Sequence, residues 1–137
     1  MKSFFRHLFI GAATLALAAS LHAAPALVGH SGLKCQSLEG ETVKAVLLGK
    51  RVTIGDARVV VVIAKSNAAQ DAFLQSHVAM NTSQFQNHWR RLFMTGGGSA
   101  PKIVETEADA IKLATATPGA VAIVDSAAAG DLAVLAQ

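Results

Sequence analysis

The stretch that decides the fold is RVVVVIAKSNAAQ, residues 58–70. Its first half is an apolar run that contains four consecutive valines, Val59 to Val62. Because β-branched side chains favour extended backbone and no polar residue alternates with them, the run predicts a strand covered on both faces. In the second half, Asn67 can cap a helix, and Gln70 three residues later completes a capping-box pattern. A buried strand that passes directly into a helix is typical of α/β proteins.

Upstream of this stretch, the sequence predicts one further strand and one further helix. The apolar run ALVG, residues 26–29, predicts the first strand. Apolar residues recur three and four positions apart from Val43 to Leu47, which predicts a helix with one buried face. Ser37 is the expected N-cap of this helix, and Gly49 stands where a helix usually ends.

Downstream, a second capped helix is predicted after the helix that begins at Asn67. Asn81 followed by Gln84 repeats the capping-box pattern. Apolar residues then recur at four, seven and eight positions, and we expect them to form one apolar stripe against the core: Phe85, Trp89, Leu92 and Phe93. The helix cannot continue through the glycines that follow it.

The last third of the chain repeats the alternation once more. Thr106 with Asp109 predicts another helix start, and TPG at residues 117–119 predicts its end. AVAIV, residues 120–124, predicts a second buried strand, and residues 132–135 a last short one. The predicted fold class is therefore α/β, with a small central sheet flanked by helices.

The first 23 residues have the layout of a secretory signal peptide. Lys2 and Arg6 form a basic start, residues 8–21 are apolar and uncharged, and the small residues of HAAPA follow. The apolar run of roughly fourteen residues is shorter than the ~20 that a membrane-spanning helix needs. We therefore expect cleavage after Ala23, which leaves residues 24–137 as one domain in the periplasm or outside the cell.

Charge and cysteine content exclude several classes of protein. Removal of Lys2 and Arg6 lowers the basic count from 12 to 10 against 9 acidic residues, so no nucleic-acid partner is expected. Cys35 is the only cysteine and forms no internal disulfide. Motifs for zinc hydrolysis, paired-cysteine metal sites and a serine nucleophile are missing from the sequence. We therefore expect no enzyme activity, no metal and no cofactor.

Four segments in order resemble the phosphate-type substrate-binding proteins of ABC transporters, and above all their short, single-lobe relatives. The segments are VKAVLLGK (residues 43–50), RVVVVIAKSNAAQDAFL (58–74), FQNHWRRLFMTGGGSAP (85–101) and ATPGAVAIVD (116–125). The resemblance covers residues 38–125. It implies one lobe of a periplasmic-binding-protein-like (type 2) fold, a ligand such as phosphate or another small oxyanion, and an ABC transporter membrane component as partner.

The same resemblance points to a binding site where the buried strand meets its helix. Members with good phosphate sites carry an arginine and a Ser-Gly-Thr run there, whereas this chain has Lys65, Ser66 and Asn67. These residues keep one positive charge and two polar side chains at a helix N terminus, which favours an anion. The alternative interpretation is ordinary helix capping without a ligand.

The glycine run TGGGSAP, residues 95–101, offers a secondary anion contact through Gly97, Gly98 and Ser99. A nucleotide-binding loop is not expected, because the glycines follow a helix and Lys102 comes after the proline. The alternative is that the run only ends the preceding helix with a left-handed residue.

Two hypotheses about function follow from these observations. The first is an exported binding module that takes phosphate or another oxyanion for ABC transport or sensing. The second is a secreted interaction protein, or scaffold, that keeps the fold without the ligand and binds a protein partner or a second copy of itself. A fold alone does not decide between them.

Overall fold

The structure, a computed structural model, describes residues 24–33, 37–65, 67–96 and 101–137. Strands and helices alternate along the chain, and the predicted α/β class is confirmed. In chain order the elements are β1 (Pro25–Gly29), α1 (Gly40–Leu47), β2 (Thr53–Ile54), β3 (Ala57–Arg58), β4 (Val60–Ala64), α2 (Ala68–Val78), α3 (Thr82–Met94), β5 (Lys102–Val104), α4 (Glu107–Ala116), β6 (Ala120–Asp125), a short 3-10 helix (Ser126–Ala128) and β7 (Ala133–Ala136).

Five strands form the central sheet in the order β5-β4-β6-β1-β7. Strand β4 lies parallel to both β5 and β6, with Val62 paired to Lys102 on one side and to Ala122 on the other. Strand β1 is antiparallel to both β6 and β7. Val60 to Val62 of the valine run therefore lie in an inner strand, as predicted.

The start of the valine run differs from the prediction, because residues 58–64 do not form one strand. Arg58 ends β3, which pairs with β2 in a separate two-stranded hairpin, and β4 begins only at Val60. The N–H of Val60 donates to the carbonyl of Gly119, which has a φ of +79°. A Cβ at Gly119 would lie 2.0 Å from the carbonyl oxygen of Arg58, so only glycine allows this approach.

Helix starts agree with the predicted caps at three of four positions. The side chains of Asn67, Asn81 and Thr106 each accept a hydrogen bond from a first-turn N–H group. The prediction for Ser37 is wrong, since α1 begins at Gly40 with Glu39 as an N-cap that makes no side-chain bond. The predicted cap lies two residues before the observed N-cap, because the apolar period does not locate the first residue of a helix.

Helices cover both faces of the sheet. Helices α1, α2 and α3 pack on one face against a core that contains Phe73, Phe85 and Trp89. Helix α4 packs on the other face, where Ala110 and Ala114 meet small residues of the strands. No helix in the described ranges is long and apolar enough to cross a membrane.

The predicted apolar stripe of α3 is only partly buried. Phe85 and Trp89 belong to the core, and the Trp89 indole N–H donates to the carbonyl of Leu47 at 3.0 Å. Phe93, one turn further along, is 59% exposed, so its expected burial was wrong. Leu92, in the same turn, packs against the core, so only the Phe93 side of the last turn is left exposed. The helix ends at Met94, and Gly96 follows with a φ of +81°.

Candidate functional site

The candidate site lies at the carboxyl ends of β4 and β5. Helix α2 follows β4 and covers one face of the sheet, whereas α4 follows β5 and covers the opposite face. Neighbouring parallel strands whose helices leave toward opposite faces create a crevice, and ligands of open α/β sheets bind in such a crevice. The described residues beside the crevice are Lys65 and Asn67, which follow β4, and Glu105 and Thr106, which follow β5.

Lys65, the first residue after β4, spans this crevice. Its Nζ lies 2.6 Å from Oε1 of Glu105, and both side chains are exposed, at 58% and 69%. The backbone N–H of Lys65 donates to the carbonyl of Val104 at 2.9 Å, which extends the ladder between the two strands by one residue. The ammonium group of Lys65 therefore already has a carboxylate partner.

Asn67 ties the start of α2 to the neighbouring strand. Its Oδ1 accepts hydrogen bonds from the N–H groups of Ala69 (2.9 Å) and Gln70 (3.3 Å), and its Nδ2 donates to the carbonyl of Ile123 at 3.2 Å. The side chain thus takes two donors of the first turn that an anion would otherwise use. Asn67 forms the predicted helix cap, and it also fixes α2 against β6.

Gln70 has a structural role at this junction that the sequence analysis missed. Its side chain is 1% exposed. Its Oε1 accepts from the N–H of Ala64 (3.0 Å), and its Nε2 donates to the carbonyl of Ala64 (2.8 Å) and to Oγ1 of Thr82 (3.1 Å). Gln70 therefore does not complete the predicted capping box with Asn67. A polar residue among the inward-facing positions of α2 is the signal that could have revealed this role.

Of the six predicted site residues, two are described and lie together at the carboxyl edge, namely Lys65 and Asn67. The other four, Ser66, Gly97, Gly98 and Ser99, lie outside the described residues. So do the predicted signal peptide at residues 1–23 and the lone Cys35. Their proposed roles stay predictions.

The carboxyl edge carries more negative than positive charge in the described part of the chain. Lys65 is the one cation directly after β4, β5 or β6 there, whereas Glu105, Glu107 and Asp125 contribute carboxylates. Glu107 Oε2 accepts from the N–H of Asp125 at 3.4 Å, and Oδ1 of Asp125 accepts from the N–H of Ala127 at 3.0 Å. The described ranges contain no group of three or more potential ligands arranged to hold a metal ion.

Comparisons with known proteins agree with this architecture at the level of the fold. No family model matches the sequence, and no curated protein matches it either. The structure is similar to a crystal structure from Clostridium perfringens that is assigned as a phosphate ABC transporter substrate-binding protein and contains bound phosphate. The TM-score is 0.62 with 15% sequence identity, over 82% of this chain and 44% of that one.

The chain therefore spans less than half the length of that protein. At 15% identity the likeness shows the fold and nothing more. The five-stranded sheet with helices on both faces is the architecture of a single lobe of a periplasmic-binding-protein-like fold, as the resemblance implied.

Proposed function

We propose that this chain is an exported, phosphate-type solute-binding-protein-like domain that takes a small oxyanion in the β4–β5 crevice, for ABC transport or for sensing. One observation carries the proposal. Lys65 and the N termini of α2 and α4 converge at the carboxyl edge of a sheet that has the fold of a single binding-protein lobe. A helix N terminus carries partial positive charge, and an adjacent ammonium group adds to its attraction for an anion.

The oxyanion would compete with Glu105 for the ammonium group of Lys65. Both side chains of that pair are more than half exposed, and such ion pairs contribute only about 0–1 kcal/mol to stability. Exchange of one acceptor for another at Lys65 therefore costs little. The carboxylates of Glu107 and Asp125 nearby lower the affinity for an anion, because like charges repel.

A single lobe leaves the crevice open to water on one side. Small ligands bind tightly where most of their surface is enclosed, and one lobe encloses only part of an oxyanion. We therefore expect weak binding by the isolated chain. A membrane component of an ABC transporter, or a second copy of the chain, would close the crevice.

A second candidate function has an observation in its favour. Asn67 occupies the N–H groups of Ala69 and Gln70, and Glu105 pairs with Lys65, so these described donors already have partners within the chain. A domain with such a crevice has no need of an anion for its stability. In this alternative the chain is an exported scaffold that binds other proteins.

Thermal unfolding of the purified chain with phosphate, sulfate or chloride at matched ionic strength separates the two functions. A ligand that binds only the folded state adds about 2.7 kcal/mol at one hundred times its dissociation constant. Lys65→Met should abolish a phosphate-specific rise in melting temperature, and Glu105→Gln should increase it by freeing the ammonium group. Lys112→Met, an exposed substitution on α4, is the matched control.

A rise in melting temperature with phosphate that depends on Lys65 but not on Lys112 supports the oxyanion site. A response that is equal for the three salts, or that survives Lys65→Met, would reject the site and leave the scaffold function.

A further inference from the structure

A groove along α3 is the strongest feature that the oxyanion proposal does not use. It has a volume of about 210 Å³ and lies between α3 and the edge strand β5. Phe93 and Ile103, which are 59% and 51% exposed, face each other across the groove, and exposed apolar side chains that lie together mark interaction sites more often than single ones do. The described lining consists of Gln86, Trp89, Arg90, Phe93, Pro101 and Ile103.

The β5 wall of the groove is a free sheet edge in the described part of the chain. Strand β5 pairs with β4 on one side and is the terminal strand on the other. The carbonyl of Val104 accepts from the N–H of Lys65, so the polar backbone groups of Val104 face β4. Those of Ile103 face the opposite way, because successive residues of a strand point their backbone groups to alternate sides. Ile103 therefore offers an N–H and a C=O to an added strand.

The two elements that form the groove, α3 and β5, are basic. No aspartate or glutamate occurs between Asp71 and Glu105, a stretch that contains Arg90, Arg91 and Lys102. Arg90 makes only a 3.4 Å hydrogen bond to Asn87 among the described residues, and no carboxylate there pairs with Arg91 or Lys102. An occupant with negative charge would thus be complementary to this surface.

We propose that the groove between α3 and β5 binds an extended peptide segment of a partner protein, in which apolar and acidic residues alternate. Such a segment adds to β5 as a strand and bonds to the backbone of Ile103. Alternate side chains of a strand point to opposite faces. One set enters the apolar groove beside Phe93, and the other set meets Lys102, whose side chain lies on the opposite face of the sheet from that of Ile103.

The first test is a titration of the purified chain with a short synthetic peptide of alternating glutamate and leucine, followed by fluorescence. Trp89 is the only tryptophan of the chain and lines the groove, so its emission reports occupation directly. We expect saturable binding that weakens as salt concentration rises. Two control peptides should fail to bind. One has lysine in place of glutamate, and the other is methylated on the backbone nitrogens that would face β5.

Variants locate the bound peptide on this surface. Phe93→Ala removes an exposed apolar wall, and we expect about tenfold weaker binding with an unchanged melting temperature. Lys102→Glu should weaken binding about tenfold and reduce its salt dependence, because the acidic side chains of the peptide meet Lys102. Lys112→Glu on α4 and Val52→Ala, at an exposed position outside the groove, are matched controls that should bind as the unchanged chain does.

Four results would overturn the proposal. The first is the lack of a response to the acidic peptide, and the second is an equal response to the lysine peptide or the methylated peptide. The third is a change of Trp89 emission when anionic phosphatidylglycerol vesicles are added without peptide. The fourth is concentration-dependent dimerisation that Phe93→Ala abolishes. The third would assign the surface to a membrane, and the fourth to a second copy of the chain.

Discussion

The two faces of the central sheet differ in the size of the side chains that they bury. On the face covered by α1, α2 and α3, strand β6 contributes Val121 and Ile123. On the face covered by α4, the same strand contributes Ala120, Ala122 and Val124. One strand with a two-residue period thus supplies both a face of large side chains and a face of small ones.

This difference determines how each helical layer is held. Phe73, Phe85 and Trp89 belong to a broad core of large side chains beneath α1, α2 and α3. Helix α4 meets the sheet through Ala110 and Ala114, so its backbone can approach the strands closely. Substitution by smaller side chains should therefore lower the free energy of unfolding most on the first face. Substitution by larger side chains should lower it most on the second.

The largest expected effect is loss of volume beneath α3. Phe85 is 0% exposed, and Phe85→Ala should lower the free energy of unfolding by about 3–5 kcal/mol, because the transfer energy of the ring is lost and a cavity remains. Chemical denaturation gives this value. Phe93→Ala is the matched control on the same helix, and an equal cost at both positions would contradict the different burial of the two rings.

Gain of volume beneath α4 should have the next largest effect. Ala122 is 1% exposed, and Ala122→Leu should lower the free energy of unfolding by about 1–3 kcal/mol, because α4 must move or the new side chain must adopt a strained rotamer. Ala116→Leu adds the same volume at an exposed position of α4 and should leave the denaturation midpoint almost unchanged. A neutral Ala122→Leu would mean that this face has spare room.

The sequence was sufficient to predict the elements whose signals are local. Three features depend only on neighbouring residues, and the structure contains all of them. They are the strand of the valine run, the caps at Asn67 and Asn81, and the end of α3 at the glycine run. The strand order, the separation of β3 from β4 and the exposure of Phe93 depend on contacts between distant segments. A periodic pattern marks which residues of a helix share a side, but it does not show how far the partner surface extends.

In the candidate site too, local sequence signals place some residues, whereas contacts between distant segments place others. Lys65 and Asn67 could be placed at a strand-to-helix junction, because that junction is a local feature of the sequence. The partner of Lys65, Glu105, lies 40 residues away and becomes a neighbour only through the pairing of β4 with β5. Gln70 resembled a capping residue in sequence, but the buried end of β4 offers its side chain closer partners.

Asn67 links the crevice to the face of large side chains, because it caps α2 and donates to the carbonyl of Ile123. Loss of its side chain tests how much this link stabilises the fold. Asn67→Ala removes the cap of α2 and the bond to Ile123, and should lower the free energy of unfolding by about 0.5–2 kcal/mol. Asn67→Asp keeps the capping oxygen and should restore most of this loss. Denaturation curves of the two variants decide the point, and equal losses would mean that the bond to Ile123 matters more than the cap.

The smallest expected effect concerns the ion pair across the crevice. A double-mutant cycle of Lys65→Met and Glu105→Gln should give a coupling energy below about 1 kcal/mol, since both side chains are largely exposed and water screens their attraction. The cycle is measured by denaturation at low and at high salt, and the coupling should shrink with salt. A larger, salt-resistant coupling would show that the pair holds β4 and β5 together. In that case an oxyanion could not displace Glu105 cheaply, and the scaffold function would gain support over the oxyanion site.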